Sequence, residues 1–353
     1  MTKARFTRRE FCQTAATALA GLSLSGCGRR TATLWDGVAA GGQGPGPRSR
    51  HCFVYDHKAK ACVLFSGMCW DQDKPYSDTW ELRVAGWERL DTDQSPPPRQ
   101  RGAMAYDSQV GHTVLFGGQG RQGNGWPMLG DTWIYKERSW QQWDAGSRPQ
   151  PAPRCGNALA FDEEFGAIVL FGGIARGDKS IGDTWLFDGV SWQEVSGPAP
   201  PARRYAAFAF DPDLKGCVLH GGSEDDAGRR GFGDTWLFRQ RKWTKLGDLS
   251  DTMPCDDHSV AYHRTAKQMV MFGGLGGAHG VKVPEERGWK PVKALNLPPR
   301  FQCSPMVWDE ELNGLVFYGG EARHGGPQFQ TLWVFRFSAA ADGKPGVFEF
   351  AKC

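Results

Sequence analysis

"VLFGGIARGDKSIGDTWLFDGVSWQEV", Val169 to Val195, joins an apolar run, a glycine pair, a polar loop, an Asp-Thr-Trp, a second apolar run and another tryptophan. Nearly the same phrase starts at Val114 and again at Val218. Aligned on the glycine pair, the chain holds six copies: "LFSG" to Gly67, "LFGG" to Gly118 and to Gly173, "LHGG" to Gly222, "MFGG" to Gly274 and "FYGG" to Gly320. These glycines lie 51, 55, 49, 52 and 46 residues apart. A period near ~50 residues marks stacked units, none of which buries its apolar face alone.

The order inside each copy is fixed. A Pro/Arg-rich loop leads to an alternating run ending in aromatic-Asp, such as "AMAYD" or "ALAFD". This reads as a strand with one buried face. A more continuous apolar strand ends in the glycines, and a loop of variable length precedes Asp78-Thr79-Trp80, Asp131-Thr132-Trp133, Asp183-Thr184-Trp185 or Asp234-Thr235-Trp236. Trp87, Trp140, Trp192 and Trp243 follow seven residues after these tryptophans. That spacing fits a third strand, a turn and the start of a fourth, with Asp188-Gly189 predicting a two-residue hairpin. Trp185 and Phe187 should then face one neighbour and Leu186 the other. The reading is an all-β, six-bladed β-propeller with four antiparallel strands per blade over residues 48–353, and the chain is expected to be a monomer.

These motifs resemble the kelch family over essentially the whole mature chain. The resemblance implies that ligands meet the face built by the loops before the first strand and between the second and third. It implies no particular activity, because kelch propellers include scaffolds, binding modules and enzymes.

Residues 1–26 read as an export signal: Lys3, Arg5, Arg8 and Arg9 precede a short apolar stretch ending in small residues. That stretch, Phe11 to Gly26, is shorter than the ~20 residues a membrane-spanning helix needs. "TRREF" resembles the twin-arginine motif, and Leu24-Ser25-Gly26-Cys27 resembles a bacterial lipobox. Cys27 is accordingly expected to carry the lipid that anchors the protein to the inner or outer membrane of a bacterial envelope. Residues 28–47 read as a tether with a possible ring-closing strand at Ala32 to Trp35, in competition with the C-terminal "GVFEFAKC". Loss of the leader removes four positive charges and Glu10, taking the formal +3 to zero, so no nucleic-acid partner is expected.

Of the ten cysteines none shows zinc-site spacing, and Cys62 and Cys217 replace apolar residues of the repeat, which predicts buried thiols. No metal or cofactor is expected, and no nucleophile elbow or phosphate loop is present.

Candidate ligand residues lie in the least repetitive text. Arg50, Arg101, Arg154 and Arg203 recur before the first strands, where a ring of guanidinium forks would favour a carboxylate or phosphate; arginines repeated in this way also tie blades together. Copy five lacks Asp-Thr-Trp, leaving Val281-Lys282-Val283 as a shortened third strand. Around it cluster Glu224, Asp226 and Arg229 from copy four, Asp257, His258 and His279 from copy five, and Glu321, Arg323 and His324 from copy six. Acids, histidines and cations on adjacent blades fit ligand binding and also proton transfer. His220, where other copies have Phe, reads as a satisfied inner-strand histidine. The expected function is a binding module for a protein, peptide or anionic glycan, with no catalytic residue assigned. The alternative is a carbohydrate-active enzyme of the sialic acid mutarotase type.

Overall fold

Blade three shows how the repeated text becomes structure. Ala158–Asp162, Ala167–Ala175, Lys179–Phe187 and Trp192–Glu194 pair antiparallel in that order. Trp185 and Phe187 enter the core shared with blade two, and Leu186 enters the core shared with blade four, as strand alternation requires. The Asp188-Gly189 hairpin is corrected. Phe187 pairs with Trp192, leaving a four-residue loop in which the Asp188 carboxylate accepts the N–H groups of Val190 and Ser191.

The computed structural model describes residues 44–225, 231–247, 256–275, 280–285, 288–338 and 346–352. Within them six four-stranded antiparallel blades are formed, and blade six gains a short parallel strand, Ala294–Leu295, on its outer edge. The six first strands neighbour one another in sequence order, and the sixth returns to the first. The sheets therefore stand as a six-bladed propeller round a central channel.

Trp140, Trp192 and Trp243 each donate Nε1–H to a threonine hydroxyl of the preceding blade: Thr79, Thr132 and Thr184, at 2.9–3.0 Å. Trp289 does the same to Thr235 at 3.2 Å. Asp-Thr-Trp and the second tryptophan thus stitch neighbouring blades as well as filling them.

Blade one, Cys52–Asp56 to Gly86–Leu90, and blade six, Met306–Asp309 to Val347–Lys352, are each one continuous stretch of chain. Val347–Lys352 pairs with Leu332–Ser338, so the C-terminal strand takes the outer place in blade six. The competing residues 32–35, like Cys27, lie outside the described residues. Cys52, Cys62, Cys69, Cys155, Cys217 and Cys303 are free, buried thiols.

Candidate functional site

The channel is a cavity of about 540 Å³ lined by the first strands. Its loop-side mouth is a closed circle of backbone hydrogen bonds. Arg101 donates its N–H to the Arg50 carbonyl, Gly156 to Arg101, Tyr205 to Gly156, Asp257 to Tyr205, Cys303 to Asp257, and Arg50 to Cys303. Five of these bonds measure 2.8–3.0 Å; the one from Asp257 to Tyr205 is 3.3 Å. All six residues have φ between +53° and +61°, although only one is glycine. A left-handed residue costs about 1–2 kcal/mol outside glycine, so the circle holds a strained conformation in every blade but the third. Each blade in this way presents one side chain, or in blade three none, to the rim.

Two residues earlier the arginines do something else. Arg48, Arg99, Arg154 and Arg203 are at most 1% exposed, and each grips the aspartate of its own Asp-Thr-Trp with a two-pronged fork, Asp78, Asp131, Asp183 and Asp234. Their Nη1 atoms also bond the carbonyls of Ser66, Gly117, Gly172 and Gly221. Burial would raise the four carboxyls, but the guanidinium bonds and a Trp Nε1–H outweigh it and hold them below the usual aspartate value. Arg154 and Arg203 are therefore clips within blades, and of the four expected arginines only Arg50 and Arg101 stand on the rim. Blades five and six lose the clip as a pair. In blade six Phe301 and Thr331 stand at the two positions, and Phe301 stacks on Phe317 at 4.7 Å; in blade five Gly280 replaces the aspartate.

At the joint between blades six and one the mouth becomes a polar clasp. Glu321 is fully buried and accepts from five donors: Arg50 Nη2 at 3.1 Å, Ser49 Oγ at 3.1 Å, Trp70 Nε1 at 2.5 Å, Cys303 Sγ at 3.4 Å and Gln302 Nε2 at 3.5 Å. Arg50 Nη2 also meets His324 Nδ1 at 2.8 Å, and its guanidinium lies 4.7 Å from the Trp70 ring. Its Nε is buried without a partner. No Thr–Trp stitch is possible here, because Leu332 occupies the threonine place opposite Trp87. Residues 44–47 cross the joint instead: Gly44 packs on Trp87, and the Tyr76 and Tyr318 hydroxyls donate to the carbonyls of Pro47 and Pro45.

The structure thus gathers Arg50, Glu321 and His324, with Arg101 next on the rim, its guanidinium 4.6 Å from the Tyr205 ring. Glu224 and Arg323 are exposed on the loops after the second strands of blades four and six, and the Glu224 carbonyl accepts from Ser180 Oγ. Asp226, Arg229 and His279 lie outside the described residues. His258 is 6% exposed and is among the residues lining the channel, its ring 5.3 Å from that of His220. Tyr205, Cys303 and Trp70 were missed, whereas Asp257 stood in the expected cluster. Tyr205, Asp257 and Cys303 share Arg50's place in the repeat, and Trp70 is a tryptophan outside the repeated positions. Among the described residues no three metal-ligating side chains gather, and no helix is long and apolar enough to cross a membrane.

Fold, repeat and blade stitching define a six-bladed β-propeller. Residues 29–193 match the KLHDC2/KLHL20/DRC7 Kelch-repeats domain family. The flagellar outer-arm dynein alpha chain of Chlamydomonas reinhardtii is 29% identical over 180 residues, 46% of this chain and 4% of its own length. An F-box/kelch-repeat protein of Arabidopsis thaliana is 30% identical over 160 residues, 41% of this chain and 31% of its own length. The chain spans less than a third of either relative. A solved structure titled "Structure of YjhT" superposes with a TM-score of 0.66 at 15% identity, over 86% of this chain and 98% of the other, a likeness of fold.

Proposed function

We propose that the chain is a binding module whose ligand, a glycan or a segment of peptide, seats in the loop-side channel mouth. The observation that carries this reading is the rim itself: a strained, hydrogen-bonded circle, identical in backbone from blade to blade, bears five different kinds of occupant over a cavity of about 540 Å³. That size suits a small ligand or a chain terminus. With Arg154 and Arg203 engaged in clips, the rim and clasp hold Arg50 and Arg101 against Asp257 and Glu321. This balance favours an uncharged or zwitterionic ligand group over the strongly anionic one that an arginine ring would select. Trp70 and Tyr205 offer aromatic surface beside the guanidinium groups.

The enzymatic reading needs a carboxyl free to move protons, and the five donors on Glu321 support binding instead. The test is a titration of the full chain with a panel of neutral and acidic saccharides and of peptides with free ends. Saturable binding that weakens at least tenfold in Arg101→Ala is the expected result. Saturation by none of the panel overturns the reading.

Export by the twin-arginine route and anchoring through Cys27 belong to the same proposal and rest on residues 1–27 alone. Labelled palmitate should enter the wild-type protein and be absent from Cys27→Ser. Label that survives the substitution overturns the anchor.

A further inference from the structure

The joint between blades four and five departs from its siblings at two positions. His220, in blade four, stands where Phe65, Phe116 and Phe171 stand in blades one to three. Lys282 stands where the tryptophan of Asp-Thr-Trp stands elsewhere, paired with Met271 as Trp185 pairs with Leu170. His258 follows the rim residue Asp257 directly. The His220 and His258 rings meet edge to face at 5.3 Å in the wedge between blades four and five, and the Trp289 ring lies 5.3 Å from His220.

Thr235 Oγ1 accepts the Trp289 Nε1–H and shares a 2.9 Å hydrogen bond with His220 Nδ1. His220 Nε2 has no partner, and neither ring nitrogen of His258 has one either. The charged groups facing the pair are Lys282 from the third strand of blade five and Arg203 from the loop entering blade four. The carboxylate of Asp234 is held in Arg203's fork. A proton arriving on either imidazole would therefore meet cations and no carboxylate except the one held by Arg203.

From this geometry we infer that the His220–His258 pair is an acid-sensitive hinge, which loosens the wedge between blades four and five and with it the mouth at Asp257. The weak link of the rim circle, the 3.3 Å bond from Asp257 to Tyr205, spans the same joint. Only the consequence for ligand retention rests on the mouth being the binding site. Burial, reinforced by Lys282, lowers His258 to about 3, and burial followed by His258, Lys282 and Arg203 puts His220 well below its usual value. The opened wedge restores an ordinary histidine value near ~6.5. The open form thus binds more protons, and the closed form loses its advantage as pH falls from about 6.5 toward 3. Each pH unit in that window multiplies the opening constant by about ten per proton taken up, or about thirtyfold at pH 5.

Hydrogen exchange of the full chain without ligand, corrected for intrinsic rates, tests the hinge at pH 7.5 and 5. In the wild type, protection should fall at least tenfold in Asp256–His263 and Gly216–His220 and stay unchanged in Ala158–Asp162. His220→Phe with His258→Ser, and separately His258→Ala, install residues that other copies carry at these positions and should remove the local loss. Undiminished protection at pH 5, equal loss in blade three, or the same local loss in both variants overturns the inference. Failure to bind any probe at pH 7.5 would sink the binding reading and leave the hinge untouched.

Discussion

Asp234→Ala should destabilise the protein by about 3–5 kcal/mol, the usual cost of leaving one member of a buried ion pair alone. Arg203 is 1% exposed, its guanidinium lies over the Phe232 ring at 4.0 Å, and among the described residues it bonds no other carboxylate. The substitution also strips the acceptor from Trp236 Nε1. Removing both charges should be milder: Arg203→Met with Asp234→Leu is expected to unfold at a higher urea concentration than Asp234→Ala alone. Blade six carries no clip and fills the space with stacked Phe301 and Phe317, which is the natural precedent for the double change. If the double variant proves the less stable of the two, the fork is doing more than balancing charge.

Glu321→Ala should cost a similar ~3–5 kcal/mol, since Arg50, with a side chain 4% exposed, would keep a buried charge and Trp70 and Ser49 would lose their acceptor. The loss should concentrate at the ring-closing joint. Thermal unfolding gives its size, and hydrogen exchange in Cys52–Asp56 and Met306–Asp309 gives its place. A residue that served the ligand alone would instead leave the melting temperature within the scatter of surface substitutions, about 0.5 kcal/mol, and abolish binding only. The two outcomes separate a clasp from a contact.

The architecture was legible because each blade solves the same burial problem with the same words. Five glycine pairs and one Ser-Gly, four Asp-Thr-Trp motifs and the tryptophan seven residues later announced the blades and their order. The stitches from Trp140 to Thr79 and its counterparts were hidden, since they join words from different copies. The arginines were harder. Arg48 and Arg50 are two residues apart and would share a face of a regular strand, yet Arg48 enters a clip and Arg50 the mouth. The reason is the backbone: Arg50 at φ +57° breaks the alternation on which such a reading depends. The joint loss of arginine and aspartate in copies five and six was nevertheless written in the sequence, and it names them as partners. Trp70 had only its position off the repeat to give it away.

The circle at the mouth has no first or last member. A helix ends in unspent N–H groups, and these make its amino terminus a ready cradle for phosphate or carboxylate. Here every rim N–H is already given to the neighbouring blade, so the backbone greets no anion and carries no pole. Selectivity is left entirely to what hangs from the circle, and a change of side chain at Arg101, Tyr205 or Asp257 can retune the mouth without redrawing the frame that holds it.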